Sequence, residues 1–341
     1  MMRIFLATGV VLTLLFGSCS EKPKKSEAKK RYLDSATIEI LDEEILNIVN
    51  PENKFEILSE GHDWTEGPLW LDEQGKLLFS DIPRNTVYSW SEKDGVEVYL
   101  NPSGFTGENY KGSEPGANGL LLDPEGNLVL CQHGNRQVAR MNSPLNQPKP
   151  EYISLVNVYD NKKLNSPNDA AYHSNGQLFF TDPPYGLAGR MEDPEKELSF
   201  QGVYRLEKSG KLTLVDDQLS RPNGIGFSSD ESILYVANSD PENPIWNSYH
   251  LDSMGQVKSK ELFFDSKALA SEREGLPDGL EVHPKGFVFA TGPGGVLIFN
   301  KEGSHLGTLL TGQATSNVAF NGDHSSLFMT ANSYVLRLNL K

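Results

Sequence analysis

Cysteine, helical periodicity and positive charge are all scarce in this chain, and each scarcity excludes something. The 341 residues contain two cysteines, Cys19 and Cys131, too few for a disulfide framework. No amphipathic helical stretch of useful length follows residue 50, which leaves strands to build the core. Lys and Arg number 31 against 46 Asp and Glu, a formal net charge of −15. Residues 1–31 hold seven basic and two acidic side chains, so the remainder carries 24 basic against 44 acidic residues. An acidic surface of this kind repels phosphate backbones and excludes nucleic acid as the expected partner. The apolar run Ile4 to Phe16 is too short to span a bilayer.

What is present is one phrase written six times. A polar residue opens an apolar run, a Gly- or Ser-rich turn follows, and a second apolar strand comes next. The phrase reads Glu66-Gly67-Pro68-Leu69, Asn118-Gly119-Leu120-Leu121, Asn168-Asp169-Ala170-Ala171, Asn223-Gly224-Ile225-Gly226, Asp278-Gly279-Leu280-Glu281 and Asn317-Val318-Ala319-Phe320. Successive starts lie 52, 50, 55, 55 and 39 residues apart. A period near fifty with several short strands per unit predicts a β-propeller blade. Six units predict an all-β, six-bladed β-propeller around a central channel.

The strands inside each unit support that reading. Turns such as Asp123-Pro124-Glu125-Gly126-Asn127 and Ser174-Asn175-Gly176-Gln177 precede Leu128-Val129-Leu130-Cys131 and Leu178-Phe179-Phe180-Thr181. Ser228-Ser229-Asp230-Glu231 likewise precedes Ile233-Leu234-Tyr235-Val236. Third strands are expected at Val87–Trp90, Val138–Met141, Val203–Leu206, Val296–Phe299 and Val335–Leu338. Ile38–Ile40 and Phe55–Leu58 read as strands outside the phrase, one of which can complete the last blade. Asp42 to Ile48 reads as a short helix, and residues 186–201 as a charged insertion over one face of the disc. Trp64, Trp70, Trp90 and Trp246 are expected to pack between blades. Arg136 and Arg221 read as loop-holding ion pairs, and Cys131 as a small core residue.

The N-terminus reads as an address. Arg3 precedes the apolar run, and Leu15-Phe16-Gly17-Ser18-Cys19 resembles a bacterial lipobox, in which the Cys is lipidated. The expected organisation is a lipoprotein signal peptide over 1–18, a lipidated Cys19 with a tether over 19–35, and the propeller over 36–341. An ordinary cleaved signal peptide is the alternative. Either places the protein outside the cytoplasm, in the periplasm, with membrane contact only through the N-terminal lipid. With Cys19 modified, Cys131 has no intrachain partner.

The chemistry lies in the polar starts Glu66, Asn118, Asn168, Asn223, Asp278 and Asn317. Six equivalent positions around one axis offer two carboxylates and four amides, with no Cys or His. A hard cation wants oxygen donors of this kind, Ca²⁺ or Mg²⁺ before Zn²⁺. Taken singly, Asn-Gly and Asp-Gly are also ordinary turn formers. Glu66 is not one, and the six share a register.

At these residues the chain resembles the family of senescence marker protein, gluconolactonase and luciferin-regenerating enzyme, from about Phe55 to Leu340. It is nearest the bacterial gluconolactonases. The phrases that carry the resemblance are Trp64-Thr65-Glu66-Gly67-Pro68, Cys131-Gln132-His133-Gly134-Asn135-Arg136, Asn165-Ser166-Pro167-Asn168-Asp169, Thr181-Asp182-Pro183-Pro184-Tyr185-Gly186, Ser220-Arg221-Pro222-Asn223-Gly224 and Pro277-Asp278-Gly279-Leu280.

The resemblance implies one catalytic divalent cation held by Glu66, Asn168, Asn223 and Asp278. Ca²⁺ is the first expectation, with Mg²⁺, Mn²⁺ or Zn²⁺ as alternatives. It also implies metal-assisted opening of a sugar lactone, with Asp278 doubling as general base. Asn118, His133 and Tyr185 are candidates for substrate contact. The animal branch carries a substrate-binding Arg two residues before the first ligand Asn; Ser166 stands there, so that scheme does not transfer. Phosphotriester hydrolysis on the same scaffold and a non-catalytic, membrane-tethered binding propeller are the alternative functions. No protein partner is implied.

Overall fold

The computed structural model describes Met1 and residues 30–341. The signal peptide and the lipidation site at Cys19 lie outside the described residues. A compact unit spans Arg31–Lys341, and among the described residues no helix is long and apolar enough to cross a membrane.

The unit is a six-bladed β-propeller. Blade 1 runs Thr65–Leu71, Lys76–Asp81, Thr86–Ser91 and Gly95–Leu100 from the axis outward. Blade 2 begins at Ala117–Leu122, blade 3 at Ala170–Tyr172, blade 4 at Pro222–Phe227, blade 5 at Leu280–Val282 and blade 6 at Thr315–Phe320. All five expected third strands occur, within Thr86–Ser91, Gln137–Met141, Gly202–Leu206, Gly295–Phe299 and Tyr334–Asn339.

The second strands explain why the blades stack. Leu77, Leu78 and Phe79 are apolar on both faces because each face meets a neighbouring blade. Side chains alternate along a strand. Leu78 therefore packs with Leu120, Leu128 and Leu130 of blade 2, while Leu77 and Phe79 pack with Phe328 and Val335 of blade 6. Blade 3 repeats the pattern: Leu178 and Phe180 join Val129 and Cys131 of blade 2, and Phe179 joins Val236 of blade 4. Cys131 is thus a core residue, and burial raises its thiol pKa well above the usual value. Three of the four tryptophans lie between blades. Trp70 stacks on Phe328 at 5.2 Å, Trp90 lies 6.5 Å from the same ring, and Trp246 lies 5.9 Å from Phe299. Trp64 instead stands half-buried just before the first innermost strand.

The ring closes with a strand from the other end of the chain. Glu56–Glu60 pairs antiparallel with Tyr334–Asn339 and becomes the outer strand of blade 6. Thr37–Ile40 does something the sequence left open: it adds a fifth strand to blade 5, against His305–Leu310. The short helix is a 3₁₀ segment, Glu43–Asn47, capped by Asp42, whose carboxylate accepts from Glu44 N at 2.8 Å. The insertion lies between Leu178–Asp182 and Gly202–Leu206 of blade 3. It is tied to the loop after blade 1 where Tyr110 Oη donates to Gly186 O.

Candidate active site

The residue that follows each polar start explains how six blades meet. A Cβ built on Gly67 would lie 2.1 Å from Asn118 O, and one on Gly119 2.9 Å from Asn168 O. On Gly224 it would lie 2.1 Å from Asp278 O, and on Gly279 2.0 Å from Asn317 Cγ. Each glycine clears the space into which the next blade's polar start fits. The turn-former reading of Asn-Gly and Asp-Gly is therefore corrected. Gly119 and Gly224 lie within strands, and neither they nor Gly279 have a positive φ.

Buried hydroxyls fasten the same junctions. Ser80 donates to Asn118 O at 2.9 Å, Thr181 to Asn223 O at 2.7 Å and Thr291 to Ser316 O at 2.8 Å. Ser316 donates to Thr65 O at 2.7 Å, which joins blade 6 back to blade 1.

Five of the six starts, Glu66, Asn118, Asn168, Asn223 and Asn317, are buried; Asp278 is half-buried, with its Oδ1 shut off from water and without a donor. Burial pushes the Glu66 carboxyl up to about 8; the Gly67 N–H at 3.0 Å offsets part of this, and the Asp169 charge adds to it. Asp278 is raised well above the carboxylate range, first by burial and then by the charges of Glu66 and Asp169, while the Asn223 amide opposes the shift. Asp169, next to Asn168, is pushed up to about 7 by burial. Its Oδ2 lies 3.4 Å from Asn317 Nδ2. No Lys or Arg forms an ion pair with these three carboxylates among the described residues. Like charges gathered in a dry channel without a counter-charge raise one another's proton affinity.

The candidate substrate residues surround this ring. Tyr185 is half-buried, and its phenol is raised by burial and by Asp278, within hydrogen-bonding reach of Ser239 and near Arg221. Ser239 itself donates to Pro277 O and accepts from Asn223 Nδ2 at 3.0 Å. His133 is fully buried, with Nε2 3.5 Å from Asn118 Nδ2. Asn118 Oδ1 is buried without a partner. Ser166 is consumed structurally, donating to Pro183 O at 2.6 Å and accepting from Gly186 N at 2.9 Å.

Arg136 holds a loop, but through the carbonyls of Leu164 (2.7 Å) and Glu195 (2.9 Å), not through an ion pair. Arg221 makes no ion pair among the described residues; its charge is felt by Tyr185 and Asp240.

Two groups escaped the sequence reading. Asp169 occupies the position where four other phrases carry Gly, a signal that was readable. Glu114 lies in the irregular loop before blade 2, where no register points to it. Its Oε2 is 3.2 Å from His133 Nδ1 and its Oε1 3.6 Å from Arg190 Nη2.

The donor set suits a hard cation. Among the described residues no group of three or more His, Cys, Asp or Glu side chains has metal-holding geometry. An ion in the channel would thus be held by a mixed set of carboxylates and amides, which disfavours Zn²⁺.

The family model described as SMP-30/Gluconolactonase/LRE-like region matches residues 64–333. The chain belongs to this family. A gluconolactonase from Zymomonas mobilis is 38% identical over 304 residues, covering 87% of this chain and 83% of its own. A pentonolactonase from Haloferax volcanii is 24% identical over 273 residues, 78% of this chain and 80% of its own. Among solved structures, a gluconolactonase from Xanthomonas campestris superposes with a TM-score of 0.78 at 28% identity, over 92% of this chain and 98% of the other. A calcium-binding regucalcin from Agrobacterium tumefaciens shares the fold, with a TM-score of 0.65 at 19% identity, over 84% of this chain and 94% of the other. Three of these four relatives are named as lactonases.

Proposed function

We propose that this protein opens a sugar lactone to its aldonic acid, using one divalent cation held by Glu66, Asn168, Asn223 and Asp278. The observation that carries the reading is the pair Glu66 and Asp278: burial raises the proton affinity of both, the Glu66 charge raises that of Asp278 further, and no basic side chain pairs with either among the described residues. The kinship to a gluconolactonase at 38% identity supplies the reaction class. Ca²⁺ is the ion this oxygen set suits first, and the calcium-binding relative favours it. When bound, the cation supplies Lewis-acid polarisation of the lactone carbonyl.

The chain's own residues supply orientation and proton acceptance. The Asn223 amide lowers the proton affinity of the Asp278 carboxylate and is itself anchored on Ser239. The Asp278 carboxylate, with its raised proton affinity, is the acceptor for the proton of the attacking water. Tyr185, close enough to feel the Asp278 charge, would offer its hydroxyl to the substrate, and the burial that raises its pKa keeps it protonated as a donor. Asn118 and His133 are the further candidates for substrate contact. Export through the N-terminal leader, with a lipid on Cys19, belongs to the same reading.

Hydrolysis of glucono-1,5-lactone, a pentonolactone and a phosphotriester is the test, each with and without chelator. Lactone opening that disappears with chelator and returns with Ca²⁺ is the expected result. Asp278→Asn is expected to lower kcat on the order of 10² to 10⁴-fold. Chelator-insensitive turnover, preference for the phosphotriester, or full activity in Asp278→Asn overturns the reading.

A further inference from the structure

We infer that Glu114 is a positioning residue: acting through the His133 ring, it fixes the Asn118 carboxamide so that Oδ1 is presented to the channel as a hydrogen-bond acceptor. The inference rests on the lactonase reading for the identity of the donor that Oδ1 meets, but the relay stands on geometry alone.

Glu114 Oε2 lies 3.2 Å from His133 Nδ1, close enough for its charge to act on the ring although the two are not aligned as a hydrogen bond, and Arg190 Nη2 lies 3.6 Å from Oε1. A carboxylate accepts and cannot donate, so the ring proton belongs on Nδ1 and Nε2 carries a bare lone pair. The neighbour of that lone pair, 3.5 Å away, is the Asn118 carboxamide, which can meet it only with its NH₂. The other arm of the amide is thereby turned away from the ring. This accounts for Asn118 Oδ1, an acceptor that is buried and has no partner in the protein. Buried acceptors left without a donor are rare because they are costly. Here the donor is an O–H that arrives with the reaction, a substrate hydroxyl or the attacking water.

The ring has little freedom to escape this arrangement. His133 is fully buried, and the 184–186 loop presses on it so closely that a Cβ on Gly186 would lie 2.8 Å from His133 Cβ. Without the carboxylate, the proton can move to Nε2. The carboxamide must then turn its oxygen to the ring, and the channel meets a donor where it had an acceptor.

The test reads the tautomer directly, by long-range ¹H–¹⁵N correlation on protein labelled at histidine, with the His133 signals assigned through His133→Gln. The wild-type protein is expected to show the Nδ1–H form. Glu114→Ala shifts His133 to the Nε2–H form, and Glu114→Gln retains Nδ1–H because its carbonyl oxygen still faces that nitrogen. With glucono-1,5-lactone as substrate, Glu114→Ala lowers kcat/KM about tenfold, the size of one lost hydrogen bond, and Glu114→Gln restores most of it. A rise in KM assigns the donor to a substrate hydroxyl, and a fall in kcat assigns it to the water. An Nε2–H tautomer in the wild-type protein, or an unchanged tautomer in Glu114→Ala, overturns the relay even if that variant folds poorly. A tautomer switch in a protein that opens no lactone upholds the relay and rejects the lactonase reading.

Discussion

At the residue scale, the ring around the channel is held by absences of side chain as much as by their presence. Gly224 has an ordinary backbone, yet a methyl group there would run into the Asp278 carbonyl at 2.1 Å. Backbone cannot swing aside as a long side chain can. Gly224→Ala is therefore expected to cost about 2–3 kcal/mol and to displace Asp278. The denaturation midpoint and turnover should fall together; loss of neither rejects the close-approach account.

A second residue prediction concerns pH. Glu281, which accepts from Phe320 N at 3.1 Å inside the channel, is pushed by burial from 4.5 up to about 7. The native state then binds its proton more tightly than the unfolded chain does. Stability falls as pH rises from about 4.5 to about 7, and the full penalty remains above that window. Glu281 lines a partly open cavity, so the effect is on the order of 1–3 kcal/mol. Glu281→Gln should raise the urea midpoint at pH 8 and leave it nearly unchanged at pH 4. Equal shifts at both pH values rule out the titration.

How much of the site was legible follows from these residues. Glu66, Asn168, Asn223 and Asp278 share a register, and register survives in sequence because strands repeat it. Glu114 sits in an irregular loop and reaches its partner through folding alone. Tyr185 was readable because a Pro-Pro-Tyr-Gly loop follows a second strand at a fixed offset from the axis. The role of the glycines was left open between turn and site, since a turn and a close approach demand the same residue for different reasons.

At the scale of elements, the blades were legible and their closure was only half so. Strand positions follow from local pattern, but which edge accepts Glu56–Glu60 or Thr37–Ile40 is a long-range choice that local pattern does not encode. Side chains make that choice. Arg337 on the last strand reaches Glu56 at 2.6 Å and Glu92 of blade 1 at 2.7 Å. Arg273 grips Glu39 through both nitrogens, at 2.8 and 2.9 Å, and so binds the fifth strand to blade 5. Arg337 and Glu56 are mostly buried, so removing the guanidinium takes from the Glu56 carboxylate a charge-assisted pair in a setting of low dielectric. Arg337→Met should cost about 2 kcal/mol and lower the melting temperature, while KM and kcat of the surviving folded enzyme stay unchanged. A neutral melting temperature would show that strand pairing alone secures the seam.

At the scale of the whole molecule, the proposed lipoprotein leader is open to a direct test. Residues 1–31, with seven basic and two acidic side chains, are net positive, whereas the remainder, with 24 basic and 44 acidic, is strongly negative. If Cys19 is lipidated, growth on a labelled fatty acid should mark the protein, and Cys19→Ser should abolish the label and release the propeller to the soluble fraction. Label retained in Cys19→Ser rejects the lipoprotein reading. Fold class was fully legible at this scale because a repeat of fifty residues is a global signal.

The seam between Glu56 and Arg337 joins positions 281 apart, and this orders the protein's birth. The latch strand leaves the ribosome well before its partner, so no nascent chain can finish its ring until the strand that carries Arg337 has emerged. Until then an unsatisfied edge is on offer to other chains. A cell that makes this protein quickly therefore has reason to keep the half-built ring chaperoned, and truncation by even a single terminal hairpin should yield aggregates in place of a five-bladed enzyme.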